Sequence, residues 1–167
     1  MNPPKIHGQY GFSAAELEAA KLPVEAEQLA SAIVAAQLRA LFADANGECS
    51  LVECFARLGP LYQRWLGATM RYLVEQGRVE IDAGTQRHRF AAVESVDALW
   101  QRWDAAKPAW HDNANHRAYL TLIEACLRNL PEILTDAVPA TDVMFPESSM
   151  HMVEGIYKHN LIADHFN

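Results

Sequence analysis

Between Gly59-Pro60 and Gly77 the sequence sets one helix between two stop signals, and the hydrophobic period changes directly beyond it. Pro60 suits the first helical position, because its missing N–H would find no partner there. Gly77 can take the left-handed backbone that closes a helix. Leu61, Trp65, Thr69 and Tyr72 recur along one side, with Leu66, Met70 and Leu73 beside them. Arg78-Val-Glu-Ile-Asp then alternates with period two, Ala83-Gly84-Thr85 is a turn, and Gln86 to Val93 supplies a return strand. Upstream, Ser50-Leu-Val-Glu53 has the form of a capping box opening a short helix that Gly59-Pro60 stops. Short helix, turn, longer helix and hairpin make a winged-helix-like element.

The remaining chain reads as helix. Met1 to Phe12 is an irregular leader, and Ser13-Ala-Ala-Glu16 is a second capping box, opening a helix to about Ala20. Pro23 suits the first turn of the next, with Glu25 and Glu27 favoured by its dipole. Its core positions are Leu29, Ile33, Ala36 and Ala40, and Asn46-Gly47 ends it. Ser95 opens a helix with Leu99, Trp100 and Trp103 on its apolar face, ended by Pro108. Asp112 or Asn113 caps another, with Tyr119, Ile123, Cys126, Leu127 and Leu130 as its stripe, kinking or restarting at Pro131 and finishing near Asp136. Val138-Pro139 through Phe145-Pro146 reads as an extended link, after which Ser148 or Ser149 caps a final short helix. The fold class is mainly α: a helical domain with a winged-helix-like element and one small β-hairpin near 78–92. A helical body over 1–138 is followed by a linker and short helix over 139–167.

Composition narrows the function. Half of the 167 residues are hydrophobic and 21% are charged, which suits a packed domain. The net charge of −7 disfavours a nonspecific nucleic-acid binder, whose affinity comes from neutralising phosphates. No apolar run approaches a membrane span, the start does not read as a signal peptide, and Cys49, Cys54 and Cys126 form no CxxC. The expected setting is cytoplasmic, with no membrane partner.

Candidate chemistry is sparse. His111 and His116 are five apart, and His151, His159 and His165 are eight and six apart, so none fits an HExxH or a mixed Cys/His site; no metal is expected. Ser148 and Ser149 lie in no G-x-S-x-G and read as caps. No glycine-rich turn follows a strand, so no dinucleotide, nucleotide or S-adenosylmethionine cradle of the usual kind is present. Trp65, Trp100, Trp103 and Trp110 read as core anchors, Trp110 with the alternative of lining a pocket. Arg57, Arg64, Arg71 and Arg78 recur every seven residues, and Ser50 to Ala92 holds six arginines against four acids. The ordinary reading is a solvated face. A functional one is a docking surface for an acidic partner, and DNA binding is another, although Pro60 to Gln76 carries two arginines, no lysine and large apolar groups where base-reading side chains belong.

The stretch Phe145-Pro146-Glu-Ser-Ser-Met-His-Met-Val-Glu-Gly-Ile-Tyr157-Lys-His-Asn160, ending in Phe166-Asn167, resembles the junction between the N-terminal helical lid and the S-adenosylmethionine-binding core of methyltransferase domains in modular polyketide synthases and related hybrid synthetases. Leu58-Gly-Pro-Leu-Tyr-Gln-Arg-Trp-Leu66 and Leu130-Pro-Glu-Ile-Leu134 resemble further lid segments of that family. The resemblance implies a lid and substrate-recognition subdomain, inactive alone, whose core would follow Asn167. It implies no catalytic residue here. It gives Tyr157, Asn160, Phe166 and Asn167 positions that approach S-adenosylmethionine or the mouth of the substrate tunnel. It also implies partners: neighbouring synthase domains and an acidic acyl carrier protein bearing the substrate thioester, which the arginine series would dock. The rival readings are a non-catalytic docking or adaptor domain of such an assembly line, and a winged-helix DNA-binding regulator.

Overall fold

The computed structural model of the chain describes residues 21–92 and 94–157. The Ser13–Glu16 capping box, the helix to Ala20 and everything beyond Tyr157 lie outside them.

Helix α1 (Val24–Phe42) is the axis of the body. Its alanines let neighbours approach closely, and Leu29, Ile33, Ala35 and Leu38 are buried on several sides at once. Gln37 is also buried, donating from Nε2 to the Leu127 carbonyl at 2.9 Å. The helix stops at Phe42, and Asn46-Gly47 lies in the turn that follows it. Asp44 makes that turn: its Oδ1 accepts from the Asn46 and Glu48 amides. Gly47, at φ +77°, completes that turn.

The turn delivers a strand that the sequence pattern did not announce. β1 (Glu48–Cys49) pairs antiparallel with β3 (His88–Phe90), which also pairs with β2 (Val79–Ile81), so the hairpin becomes a three-stranded sheet in the order β1-β3-β2. Val79 and Phe90 are directly opposed and both buried, while Glu80 and Arg89 form an opposed pair on the exposed face. Asp82 closes the hairpin by accepting from the Gly84 amide and from both the amide and hydroxyl of Thr85.

Between β1 and β2 lie α2 (Leu51–Ala56) and α3 (Pro60–Glu75). Ser50 stands at the N-cap of α2, but the expected capping box is not made: its side chain caps nothing. The Glu53 carboxylate faces Arg87 at 3.9 Å, across to the hairpin. Pro60 opens α3 as expected. At its far end the Gly77 amide donates to the Val74 carbonyl and the Arg78 amide to that of Leu73, with Gly77 at φ +66°, which is a Schellman closure.

Helix α4 (Val96–His111) starts where Ser95 Oγ accepts from the Ala98 amide, but it runs through Pro108, which was expected to end it. Interior proline costs a helix about 3 kcal/mol. Continuing the helix places Trp110 two turns beyond Trp103, where the rings meet edge-to-face at 5.1 Å and both are buried. Burying two tryptophans outweighs the lost hydrogen bond. Helix α5 (Ala114–Arg128) gives way at Asn129 to α6 (Leu130–Leu134), the restart expected at Pro131. The stretch read as an extended link instead contains α7 (Ala140–Met144), packed on α5. Pro139, at φ −62°, presets the entry and its carbonyl accepts from the Asp142 amide, so a short helix forms where few apolar residues advertised one. A 3-10 turn (Pro146–Ser148) leads to α8 (His151–Tyr157), whose start is supported by the His151 amide donating to Ser149 Oγ.

Candidate functional site

Helix α3 has two apolar sides, and the described residues cover only one. Leu66, Met70 and Leu73 are fully buried. Leu61, Trp65, Thr69 and Tyr72 stand on the flank that opens to two grooves. The first groove, about 560 Å³, runs between α1 and α3, with Ala30, Val34, Trp65 and Thr69 as walls and Trp103 and Leu120 beneath. The second, about 500 Å³, lies between the start of α3 and α5 to α7, lined by Leu61, Tyr62, Leu127, Leu130 and Met144. Trp65 and Ile123 border both.

Trp65 is therefore not the core anchor the sequence suggested; it is 36% exposed and divides the two grooves. Trp103 and Trp110 are core residues, so Trp110 lines neither groove. At one end of the first groove Tyr72 donates its hydroxyl to Glu27 Oε1 at 3.3 Å. Burial, and next the Glu27 charge, push the Tyr72 phenol above its usual value, so it stays a donor at neutral pH. Apart from this joined pair and Lys21 and Ser31 at the first groove, the walls are mainly apolar, suited to hydrocarbon more than to charge.

The arginine series does not act as one face. Arg57 lies over the Phe42 ring at 5.0 Å. Arg78 binds α1, donating to Ser31 Oγ and to the Gln28 carbonyl, each at 2.8 Å. Arg64 and Arg71 stand exposed on α3 without an ion pair or hydrogen bond among the described residues; Arg57, off that helix, makes no ion pair either. On the hairpin, Arg87 pairs with Asp44 at 2.8 Å and Arg89 with Glu48. Arg128 pairs with Asp104 and Glu124 while its guanidinium covers Trp100 at 4.1 Å. Tyr157 ends α8 and is 65% exposed; Asn160, Phe166 and Asn167 lie outside the described residues.

Buried titratable groups lie away from the grooves, with one exception. His88 is 8% exposed with Nδ1 unpartnered, and burial lowers its basicity. The Cys49 thiol is raised by its contact with Cys54 and by burial. Cys126 borders the second groove, and burial raises its thiol too.

No protein-family model matches the chain. Curated relatives do. The chain is 43% identical over 106 residues to polyketide synthase PksM of Bacillus subtilis, and 42% identical over 134 residues to polyketide synthase ThaQ of Burkholderia thailandensis. This chain is a relative of a segment of polyketide synthases. The matches take in 64% and 79% of this chain but only 2% and 6% of those synthases. Its fold is shared with part of the DszA carbon methyltransferase, at TM-score 0.68 and 21% identity, covering 91% of this chain and 42% of that one. The CurJ carbon methyltransferase gives TM-score 0.68 at 17% identity, with 90% and 40% covered. Among the described residues no helix is long and apolar enough to cross a membrane.

Proposed function

We propose that this polyketide-synthase segment is the helical lid and substrate-recognition part of an S-adenosylmethionine-dependent carbon methyltransferase, acting on an acyl thioester carried by an acyl carrier protein in a cytoplasmic assembly line. The observation that carries the reading is the pair of apolar grooves that the described residues leave open on either side of Trp65. They lie on a fold that accounts for less than half of each carbon methyltransferase it matches.

The grooves do not fit S-adenosylmethionine. Their polar side chains are few, and the most prominent, Tyr72 and Glu27, are bonded to each other. No step of methyl transfer is therefore assigned to groups in the grooves, and the cofactor belongs to another part of the synthase. What these residues contribute is shape and dryness. Methyl transfer gains from orienting the nucleophile and excluding water, and an apolar cap supplies both. Leu61, Trp65 and Ile123 would hold the hydrocarbon part of the thioester. Tyr157, Asn160, Phe166 and Asn167 remain the candidates for the edge that approaches the cofactor.

Methyl transfer from labelled S-adenosylmethionine by the synthase protein bearing this segment tests the reading. Trp65→Ser is expected to lower the rate at least about tenfold, equivalent to about 1.4 kcal/mol of transition-state stabilisation. An unchanged rate overturns the proposal.

A further inference from the structure

The outward side of α3 sets two arginines, which hydrocarbon binding does not use, beside the groove residues Leu61 and Trp65. Leu61, Arg64, Trp65, Ala68 and Arg71 follow at three- and four-residue steps, so they form one ridge, and all five are exposed. Leu61 is 76% exposed, at the end where α3 begins. Arg64 and Arg71 lie seven residues apart, about 10 Å along the helix axis. Arg87, Arg89, Arg102 and Arg128 are all paired with carboxylates, whereas these two have no partner among the described residues. Two unpaired cations on one helix ridge, in a chain of net charge −7, make a place where an anionic partner is attracted. The leucine and tryptophan beside them supply apolar anchors, and tryptophan and arginine dominate the energetics of protein interfaces.

We infer that this ridge docks a helix of an acidic protein, with carboxylates two turns apart meeting Arg64 and Arg71 and an apolar side chain between them resting on Leu61 and Trp65. A protein fits better than a nucleic acid. Phosphate backbones are bound by many cations at once, and here two are separated by apolar groups in an acidic chain. The docking rests on the proposed function insofar as a carrier protein supplies the acidic helix.

Calorimetric titration of the full 167-residue chain with a polyketide-synthase acyl carrier protein tests it, in about 0.05 M and about 0.5 M salt. Binding is expected at low salt and loss at high salt. The Arg64→Glu/Arg71→Glu variant should bind at least about tenfold more weakly with an unchanged circular dichroism spectrum. Arg102→Glu, which breaks only the ion pair with Glu94, should bind as the parent does. Equal binding by the double variant, no binding by the parent chain, or displacement of the carrier protein by random duplex DNA overturns the inference. The outcomes also separate the two claims. Binding by a chain whose synthase transfers no methyl group removes the lid reading and leaves the docking, and methyl transfer without binding does the reverse.

Discussion

Gly155 of α8 lies against Ala118 of α5 so closely that a Cβ built on the glycine would stand 2.7 Å from the alanine Cβ. Helix propensity alone would make Gly155→Ala stabilising by up to about 1 kcal/mol. Overpacking opposes it, at about 1–3 kcal/mol, because here one Cβ meets another and neither can rotate away. A net loss is expected, read as a lower urea midpoint with an unchanged slope. A raised midpoint would mean that α8 is not seated on α5 as described.

Arg78 and Arg71 look equivalent in the sequence and differ in the fold. Arg78→Ala removes two hydrogen bonds to α1, and its partial exposure limits the loss to about 1–2 kcal/mol. Arg71→Ala should stay within about 0.5 kcal/mol, as exposed surface changes do. Chemical denaturation of both variants checks the contrast.

That pair shows what could be read from residues alone. Punctuation was legible: Pro60, Gly77, Ser95 and Pro131 each act locally, through a missing donor, a left-handed turn or a cap, and each stands where the sequence put it. Outcomes decided by tertiary packing were not. Pro108 stays inside its helix because Trp110 gains a buried partner in Trp103. Glu48–Cys49 is too short to show a period, and becomes a strand only because Asp44 turns the chain onto β3. The seven-residue arginine spacing crosses a helix start and a helix cap, so it scatters Arg57 and Arg78 away from Arg64 and Arg71. The site was half visible. Leu61, Trp65, Thr69 and Tyr72 could be seen as an apolar side of α3, but hydrophobicity does not say whether anything covers it.

The tryptophans should divide in the same way. Trp103→Ala, at a residue 1% exposed, is predicted to destabilise by about 3–5 kcal/mol. Trp65→Ala should lose less than about 1 kcal/mol, since the ring borders open grooves. Thermal unfolding of the two variants checks this, and comparable losses would place Trp65 in the core.

Acid should weaken the fold through its buried imidazole. Burial holds His88 below the usual histidine value, so the folded state binds its proton less readily than the unfolded chain does. The associated stability is present above about pH 6.5 and is lost as pH falls toward the folded-state value. His111 is lowered by burial and by Lys107 and adds in the same direction. Asp44 and Asp82 are held below their usual value of 3.8 and titrate under this window. Urea midpoints should drop between pH 7.5 and pH 5, and His88→Leu should flatten part of that drop.

The central claim is that the grooves beside Trp65 hold the hydrocarbon of an acyl thioester during methyl transfer. Filling one of them tests this most directly. In the synthase protein bearing this segment, Ile123→Trp should depress methyl transfer to a long-chain thioester at least about tenfold more than to a two-carbon one. Equal effects on both substrates, with the fold intact by circular dichroism, would contradict the account.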